Sequence, residues 1–460
     1  MYHRKIPVAC VQTQAANRVD FDTFWPRAIE LAEGAARRGA QLIVLPEGTV
    51  PAYVLGARAV DSAQLLRARD DVARVATAFG TTIVYGTARI IDGRTYNSAS
   101  VIGPDGRELG HAEKQFLWHF DRRWFAAGGS LTPIATPVGM LGVLVCADGR
   151  IPTIARTLVE RGAEILVMPT AWVTSGRDPA ALENIQADLM VNVRARENGV
   201  PFLAANKCGV ELESVAYCGK SAIVASDGSF VARASQGDEA VVFGEIEVGA
   251  PAKTHGRALA VPAEPVRTTQ RARIAFASVP GPGLERFAEL ARQADAEVFF
   301  SATDCAGECD ALALLSLGEI GTEGATVRQA GGLAIGLIGQ AVLENPDGLV
   351  AARLSGVDLF ACLLRRADSE EHVALARTRA AELRCYIVVL DSEAGRGYAV
   401  DPDGALVAGT FDDYRLASFG YDRARAGATT VAPHTDVLRG LEAAAQIRHN
   451  TKDGNGWKRS

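Results

Sequence analysis

"MLGVLVCADGRIPTIARTLVERGAEILVMPTAW", residues 140–172, reads as a strand, a helix and a second strand in close succession. Aliphatics lead into Cys146, the turn residues Asp148 and Gly149 follow, and "IPTIARTLVERG" then carries the 3.6-residue period of a helix. "EILVMPTAW" returns to a β-type apolar run. The same alternation extends outward. Strands are expected at 6–12, 41–47, 81–90, 95–106 and 201–207, helices near 24–39, 62–79 and 183–198, and a hairpin turn at "ASDG", 225–228. Strands and 3.6-period helices in this order indicate an α/β layered domain.

The chain has 460 residues, more than one ordinary domain and enough for about two to four. With 48% hydrophobic and 22% charged residues it reads as globular, which excludes general disorder. The net charge of −6 comes without a basic stripe, which argues against nucleic acid and anionic membrane as partners. No signal-peptide pattern opens the sequence and no run reaches the ~18 uncharged apolar residues of a membrane helix, so a cytoplasmic location is expected. The eight cysteines (10, 146, 208, 218, 305, 309, 362, 385) are dispersed and expected to be free thiols. "CAGEC" at 305–309 has a spacing some metal sites use, but no second Cys/His cluster completes it, and no metal is expected.

The second half repeats the first. "RIAFASVP" (273–280) echoes "IPVACVQT", "DAEVFFSAT" (295–303) echoes "GAQLIVLPE" (39–47), and "GLAIGLIG" (332–339) echoes "MLGVLVC". "GYAVDPDGALVA" echoes "SAIVASDGSFVA": Asp227 and Asp403 are 176 residues apart, and so are Phe243 and Phe419. A shared offset marks a tandem repeat. The expected division is 1–255, a linker at 256–270 rich in Pro, Gly and Ala, and 271–450. The copies are unequal, because Glu47 to Cys146 spans 99 residues and the matching Thr303 to Gly339 only 36.

Three strands of the first half end in polar residues, expected at one sheet edge: "LIVLPE" in Glu47, "VLVC" in Cys146, and "ILVMPT" before Ala171 and Trp172. Open sheets place ligands at strand C-termini. A carboxylate beside a thiol there forms a base–nucleophile pair for attack on a carbonyl-like carbon, with Cys146 expected to have a lowered pKa. The negative charge that builds on oxygen then needs a donor. Taken alone, Cys146 reads first as a small buried core residue. Lysine is scarce, at 5, 114, 207, 220, 253, 452 and 458; Lys114 lies in "HAEKQFLWHFDRRWFAAGG", and by itself reads as a solvated surface side chain.

Residues 5–250 resemble the nitrilase superfamily of carbon–nitrogen hydrolases. The resemblance rests on "LPEG" at Glu47, the loop around Lys114, "CADGRIP", "RGAEILVMPTAW", "VRARENGVPFLAANK" and "GKSAIVASDG", in that order. It implies a four-layer α-β-β-α sandwich, a Glu–Lys–Cys triad and no cofactor. Glu47 would be general base and Cys146 nucleophile, with Lys114 and the Ala147 N–H stabilising the oxyanion; water would then hydrolyse the acyl-enzyme. A second acidic residue of the family matches Asp121, followed by Arg122, where Asp stands one methylene short of the usual Glu. Ala147-Asp148-Gly149-Arg150 resembles the amidase and carbamoylase branches, whereas the spacing of the lysine loop resembles the nitrile hydrolysers. The expected substrate is a small molecule carrying an amide or N-carbamoyl group; a nitrile is the alternative. Arg150 either grips a substrate carboxylate or locks its own turn, and Tyr53 and Trp172 are either pocket walls or packing.

In the second copy the lysine loop is missing, no lysine occurs between 254 and 451, and Asp304 is the one carboxylate beside the position matching Glu47. The resemblance implies an internal pseudo-dimer in which this copy supplies a partner face in cis, leaving further homo-oligomerisation open. The helices at 151–161 and 184–198 would form that face, matched by copies near 344–355 and 369–384. A non-catalytic scaffold or binding protein is the competing class.

Overall fold

The computed structural model describes residues 4–56, 59–174, 183–249, 268–278, 284–302, 307–309, 312–318, 320–365, 369–391, 393–410 and 415–450. Most of the expected linker, Thr303, Asp304 and the "CAGEC" side chains lie outside the described residues. The chain forms two compact units. The first comprises Met1–Lys253 together with Ala432–Thr435 and Ala443–Ser460, and the second comprises Thr254–Val431 with Asp436–Glu442. The expected second domain, 271–450, therefore does not form one continuous body: the chain rejoins the first unit near its C-terminus.

In the first unit the elements are β1 (Arg4–Gln14), α1 (Phe21–Arg37), β2 (Leu42–Val44), α2 (Ser62–Phe79), β3 (Thr82–Ile91), β4 (Arg94–Ile102), β5 (Glu108–Glu113), β6 (Ile134–Thr136), β7 (Gly139–Val143), α3 (Pro152–Glu160), β8 (Ile165–Pro169), α4 (Val191–Asn198), β9 (Phe202–Ala205), β10 (Lys207–Glu211), β11 (Val215–Cys218), β12 (Ala222–Val224), β13 (Phe230–Arg233) and β14 (Ala240–Val248). One sheet has the order β11-β10-β1-β2-β3-β4-β5, with β14 also paired to β1, and the other runs β13-β12-β9-β8-β7-β6. The central strands β1, β2 and β3 are parallel, as are β7, β8 and β9. Helices α1 and α2 cover the first sheet, the sheets pack face to face, and α3 and α4 cover the second, giving four layers. Strands covered on both faces become continuous apolar runs, as β2 and β8 show.

Local chemistry sets the helix ends. The Asp61 carboxylate accepts the Ala63 N–H at 2.8 Å to start α2, and Gly80 ends it at φ 64. Pro152 opens α3, where its missing N–H costs nothing. "PFLAANK" is not one strand. The chain leaves one sheet after β9 and enters the other at β10, turning at Asn206, whose side chain donates to Gly219 O at 2.7 Å and accepts the Trp172 N–H at 2.8 Å. A buried amide is needed there because the crossover interrupts both ladders.

The second unit contains β15 (Arg271–Ala277), α5 (Leu284–Gln293), β16 (Val298–Ser301), β17 (Gly307–Cys309), β18 (Leu312–Ser316), β19 (Ala325–Ala330), β20 (Leu333–Gly339), α6 (Gln340–Glu344), α7 (Pro346–Leu354), β21 (Leu359–Leu364), α8 (Ser369–Leu383), β22 (Tyr386–Asp391), β23 (Arg396–Val400), β24 (Leu406–Gly409) and β25 (Leu416–Asp422). Its sheets run β17-β18-β16-β15-β25 and β19-β20-β21-β22-β23-β24. The first strand pairs antiparallel with the last of its unit in both cases: Ala9 faces Phe243 and Ile274 faces Phe419. Among the described residues no helix lies between β16 and β20, where the first unit has α2. No helix of the described residues is long and apolar enough to cross a membrane.

Glu47 follows β2, and Gly86 of β3 lies directly against its backbone: a Cβ at Gly86 would overlap Pro46 O and Glu47 Cα. Gly86→Ala is expected to displace the Glu47 turn and lower the unfolding free energy by about 1–3 kcal/mol, the usual cost of overpacking. Urea unfolding should show the earlier midpoint, with turnover lost in parallel. An unchanged midpoint and rate would show that the turn can yield.

Candidate active site

Glu47, Lys114, Asp121 and Cys146 converge, but from two sheets rather than one edge. Glu47 follows β2 of the first sheet and Cys146 follows β7 of the second; the Glu47 N–H donates to Thr170 O, just past β8, at 3.2 Å and stitches the two together. Apolar runs buried on both faces carry no mark of which sheet they join, so the sequence pointed to a single edge.

Lys114 follows β5, where its N–H donates to Asn97 O at 2.8 Å. Its Nζ donates to Glu47 Oε1 at 2.8 Å and pairs with Asp121 Oδ2 at 2.6 Å, all three side chains being fully buried. The shorter Asp121 thus reaches the lysine. It sits in the tight turn His119–Arg123, and its Oδ2 also accepts the Trp118 N–H at 2.9 Å. Asn97 Nδ2 donates to Glu47 Oε1 at 2.7 Å. One oxygen of each carboxylate is thereby fully engaged, and the other, Glu47 Oε2 or Asp121 Oδ1, is buried with no partner among the described residues. Burial opposes the charge on Lys114, but the carboxylates of Asp121 and Glu47 reverse this and hold its pKa well above the ordinary amine value.

Cys146 has φ 48, the left-handed region that non-glycine residues seldom occupy, between extended Val145 and the turn Cys146–Arg150. Such a residue stores about 1–3 kcal/mol, held here by its neighbours. The Asp148 carboxylate accepts the Val145 N–H at 3.0 Å on one oxygen and the N–H groups of Gln115 (3.0 Å) and Phe116 (2.7 Å) on the other. This side chain therefore ties the cysteine turn to the residues directly after Lys114. Burial lifts the Asp148 pKa to about 7 against the pull of those N–H groups. Arg194 Nε donates to Gly149 O at 2.9 Å, paired with Glu197 at 2.8 Å, and Gln186 Nε2 donates to Cys146 O at 3.2 Å. The Ala147 N–H, second in the turn, has no acceptor inside it.

The expectation of a low-pKa thiol is corrected. Cys146 is only 5% exposed, and burial followed by the Glu47 charge pushes its pKa well above the ordinary value; Lys114, Thr170 and the Ala171 backbone act the other way and do not prevail. Burial and the Glu47 charge thus favour the protonated thiol, and Glu47 Oε2, unpartnered among the described residues, is suited to taking its proton as attack occurs.

Tyr53 is buried edge-on to Tyr217, with Lys114 Nζ 5.7 Å from its ring centre. Trp172 is buried too, and its Nε1 has no partner among the described residues. Arg150 is engaged within its own surroundings: Nε donates to Gln186 Oε1 at 3.2 Å and the guanidinium lies 4.8 Å from the Trp118 ring centre. Sequence reading missed Asn97, Asp148 and Lys207. Lys207 Nζ donates to Gly48 O at 2.9 Å behind Glu47, and burial pulls its pKa below the ordinary value despite Glu211 at 3.6 Å. The available signal was a polar residue inside an apolar strand pattern, in "TYNSAS" and "FLAANK". Among the described residues no group of three or more His, Cys, Asp or Glu is placed to hold a metal.

Because the thiol is held protonated, the difference in ultraviolet thiolate absorbance between the native enzyme and Cys146→Ala should stay flat up to pH 9.0, the ordinary thiol value. A thiolate band already present at neutral pH would mean that Lys114, not Glu47, dominates the sulfur.

The carbon–nitrogen hydrolase family pattern matches residues 7–254, more than half of the chain. The chain is 37% identical over 216 residues to the "Hydrolase in pqqF 5'region" of Pseudomonas protegens, covering 45% of this chain and 72% of that one. It is 31% identical over 241 residues to omega-amidase NIT2-A of Xenopus laevis, covering 48% and 82%. Among solved structures, the carbon–nitrogen hydrolase of Helicobacter pylori G27 is 25% identical with a TM-score of 0.46, covering 53% of this chain and 89% of that one. With the matched residues running through the segments that carry Glu47, Lys114, Asp121 and Cys146, this chain belongs to the carbon–nitrogen hydrolase family.

Proposed function

We propose that this hydrolase cleaves the carbon–nitrogen bond of a small molecule bearing a –C(=O)NH2 group, as a carboxamide or N-carbamoyl group, through a thioester on Cys146. One observation carries the reading: two buried carboxylate oxygens, Glu47 Oε2 and Asp121 Oδ1, have no partner among the described residues, while their companion oxygens are held by Lys114. Buried acceptors are costly unless a ligand supplies hydrogens. An amide –NH2 brings two, whereas a nitrile nitrogen brings none. Relatives named omega-amidase and (R)-stereoselective amidase support the same substrate class.

In this reading Glu47 Oε2 takes the Cys146 proton as sulfur attacks the carbonyl carbon. The carbonyl π electrons move to oxygen, where the Lys114 ammonium and the Ala147 N–H receive the charge. Asp121 Oδ1 holds the substrate N–H. The proton on Glu47 passes to nitrogen as the C–N bond breaks and the oxyanion collapses; ammonia leaves, and a thioester remains from a carboxamide or a thiocarbamate from an N-carbamoyl group. Glu47 next draws a proton from water, whose oxygen attacks the thioester; collapse releases the acid and the thiol regains its proton. Tyr53 and Trp172 form walls of the site, and Arg150 supports the cysteine turn.

An ammonia-release assay over amides, N-carbamoyl amino acids and nitriles should show turnover of the first two classes. Cys146→Ala should abolish it with the fold intact. Lys114→Ala should lower kcat by at least roughly a hundredfold, and Lys114→Arg should not restore it, since a planar fork cannot replace a point charge between two carboxylates. Nitrile turnover exceeding amide turnover would overturn the substrate assignment; a normal kcat with raised KM would reduce Lys114 to a binding group.

We further infer that the second half is a non-catalytic copy serving as a built-in partner. The like order of the two six-stranded sheets, β13-β12-β9-β8-β7-β6 and β24-β23-β22-β21-β20-β19, and the shared 176-residue offset support duplication. The position echoing Cys146 is Gly339, where a Cβ would overlap the carbonyl oxygens of Gly321 and Thr322. No nucleophilic side chain fits there. Because residues 432–435 and 443–449 belong to the first unit, a fragment ending at 260 also lacks part of its own fold. Light scattering of fragment 1–260 should report aggregation or homodimers. A monomeric, fully active fragment would refute the partner role.

A further inference from the structure

The C-terminal segment touches the turn that carries Asp121. The His119 N–H donates to Thr435 Oγ1 at 2.6 Å, and Arg122 Nε donates to His434 O at 3.1 Å. Residues 432–435 are grouped with the first unit, and Thr435 is fully buried. The two contacts bracket Asp121, two residues before it and one after. His119 has φ 46 and His434 φ 62, so a strained non-glycine residue sits on each side of this seam. Strain of this kind persists only where the surroundings fix it. At His119 one contact that holds it is with a hydroxyl more than 300 residues away in sequence.

We infer that Thr435 is a positioning residue for Asp121, so that the C-terminal segment completes the active site. The inference rests on the role proposed above for Asp121. Thr435 holds the first residue of a tight turn, the turn aims Asp121 Oδ2 at Lys114 and the Trp118 N–H, and the remaining oxygen is left for substrate. Releasing the His119 N–H lets the turn relax and moves both carboxylate oxygens. Reaction rates respond steeply to such movement, about a hundredfold for a displacement near 1 Å.

The test uses the full-length enzyme. Thr435→Val removes the acceptor while keeping the side-chain shape; kcat for an amide should fall roughly tenfold or more, with KM changing far less. Thr435→Ser should restore kcat to within about twofold, because it returns the hydroxyl. In an Asp121→Asn background, Thr435→Val should cause no further loss, the signature of two residues acting as one unit. Thr435→Ala, which leaves the same N–H without an acceptor, replaces the valine variant if that protein does not fold. Native kcat in the valine or alanine variant, or losses that multiply in full with Asp121→Asn, would overturn the inference while leaving Asp121 in its role. An unchanged kcat for Asp121→Asn itself would overturn that role and the inference together.

Discussion

A lysine ammonium with no exposure to water, held between Glu47 and Asp121, is the constraint on which the first unit depends. Withdrawing an ion from water costs several kcal/mol, recovered only when opposite charges and hydrogen bonds surround it closely. Lys114 has two carboxylates, and these are steadied by Asn97 Nδ2 and the Trp118 N–H. Meeting that demand brings together the end of β2, the middle of β4, the end of β5 and the turn at 119–123. The neighbouring thiol is raised in pKa by its burial first and by the Glu47 charge second, which is why the unpartnered Glu47 oxygen matters for the proposed reaction.

The facing sheets solve a second problem, that of bringing a base and a thiol from different layers into one site. The contact is made through backbone and short buried side chains: Glu47 N–H to Thr170 O, and Asp148 accepting from both the cysteine turn and the lysine loop. Behind Glu47, the Lys207–Glu211 pair braces the adjacent turn, with Glu211 accepting the Val54 N–H and the Tyr217 hydroxyl. The π-turn Gln186–Met190, which leads into α4, directs Gln186 to the Cys146 carbonyl. Irregular turns of this kind often occur at functional sites because they re-aim a side chain without ending the helix.

The sheet that carries Cys146 and the one that carries Gly339 have like strand orders, but the two positions differ in backbone conformation. Cys146 occupies a left-handed conformation at the start of its turn, whereas Gly339 has φ −87 and precedes α6 in an ordinary extended conformation. The carbonyl oxygens of Gly321 and Thr322 close the space around it, so no side chain fits at Gly339. Strain is retained at functional sites because the surrounding structure is arranged to support it.

The sequence by itself determined the α/β class, the order of most elements, and four of the residues that meet in the site. Each of these is a local pattern or a spacing: periodic apolar runs, Asp-Gly turns, and Glu47, Lys114, Asp121 and Cys146 in chain order. Resemblance supplied the roles, since composition alone left Cys146 as core and Lys114 as surface. Only the tertiary structure decided which sheet each strand joins, because strands buried on both faces carry no alternation to assign them. It also split "PFLAANK" at Asn206, set Arg150 against Gln186 and Trp118, raised the thiol pKa instead of lowering it, and drew Asn97, Asp148, Lys207 and Thr435 towards the site. Those outcomes depend on desolvation and on hydrogen bonds between residues distant in sequence, and neither is encoded in any single stretch of the chain.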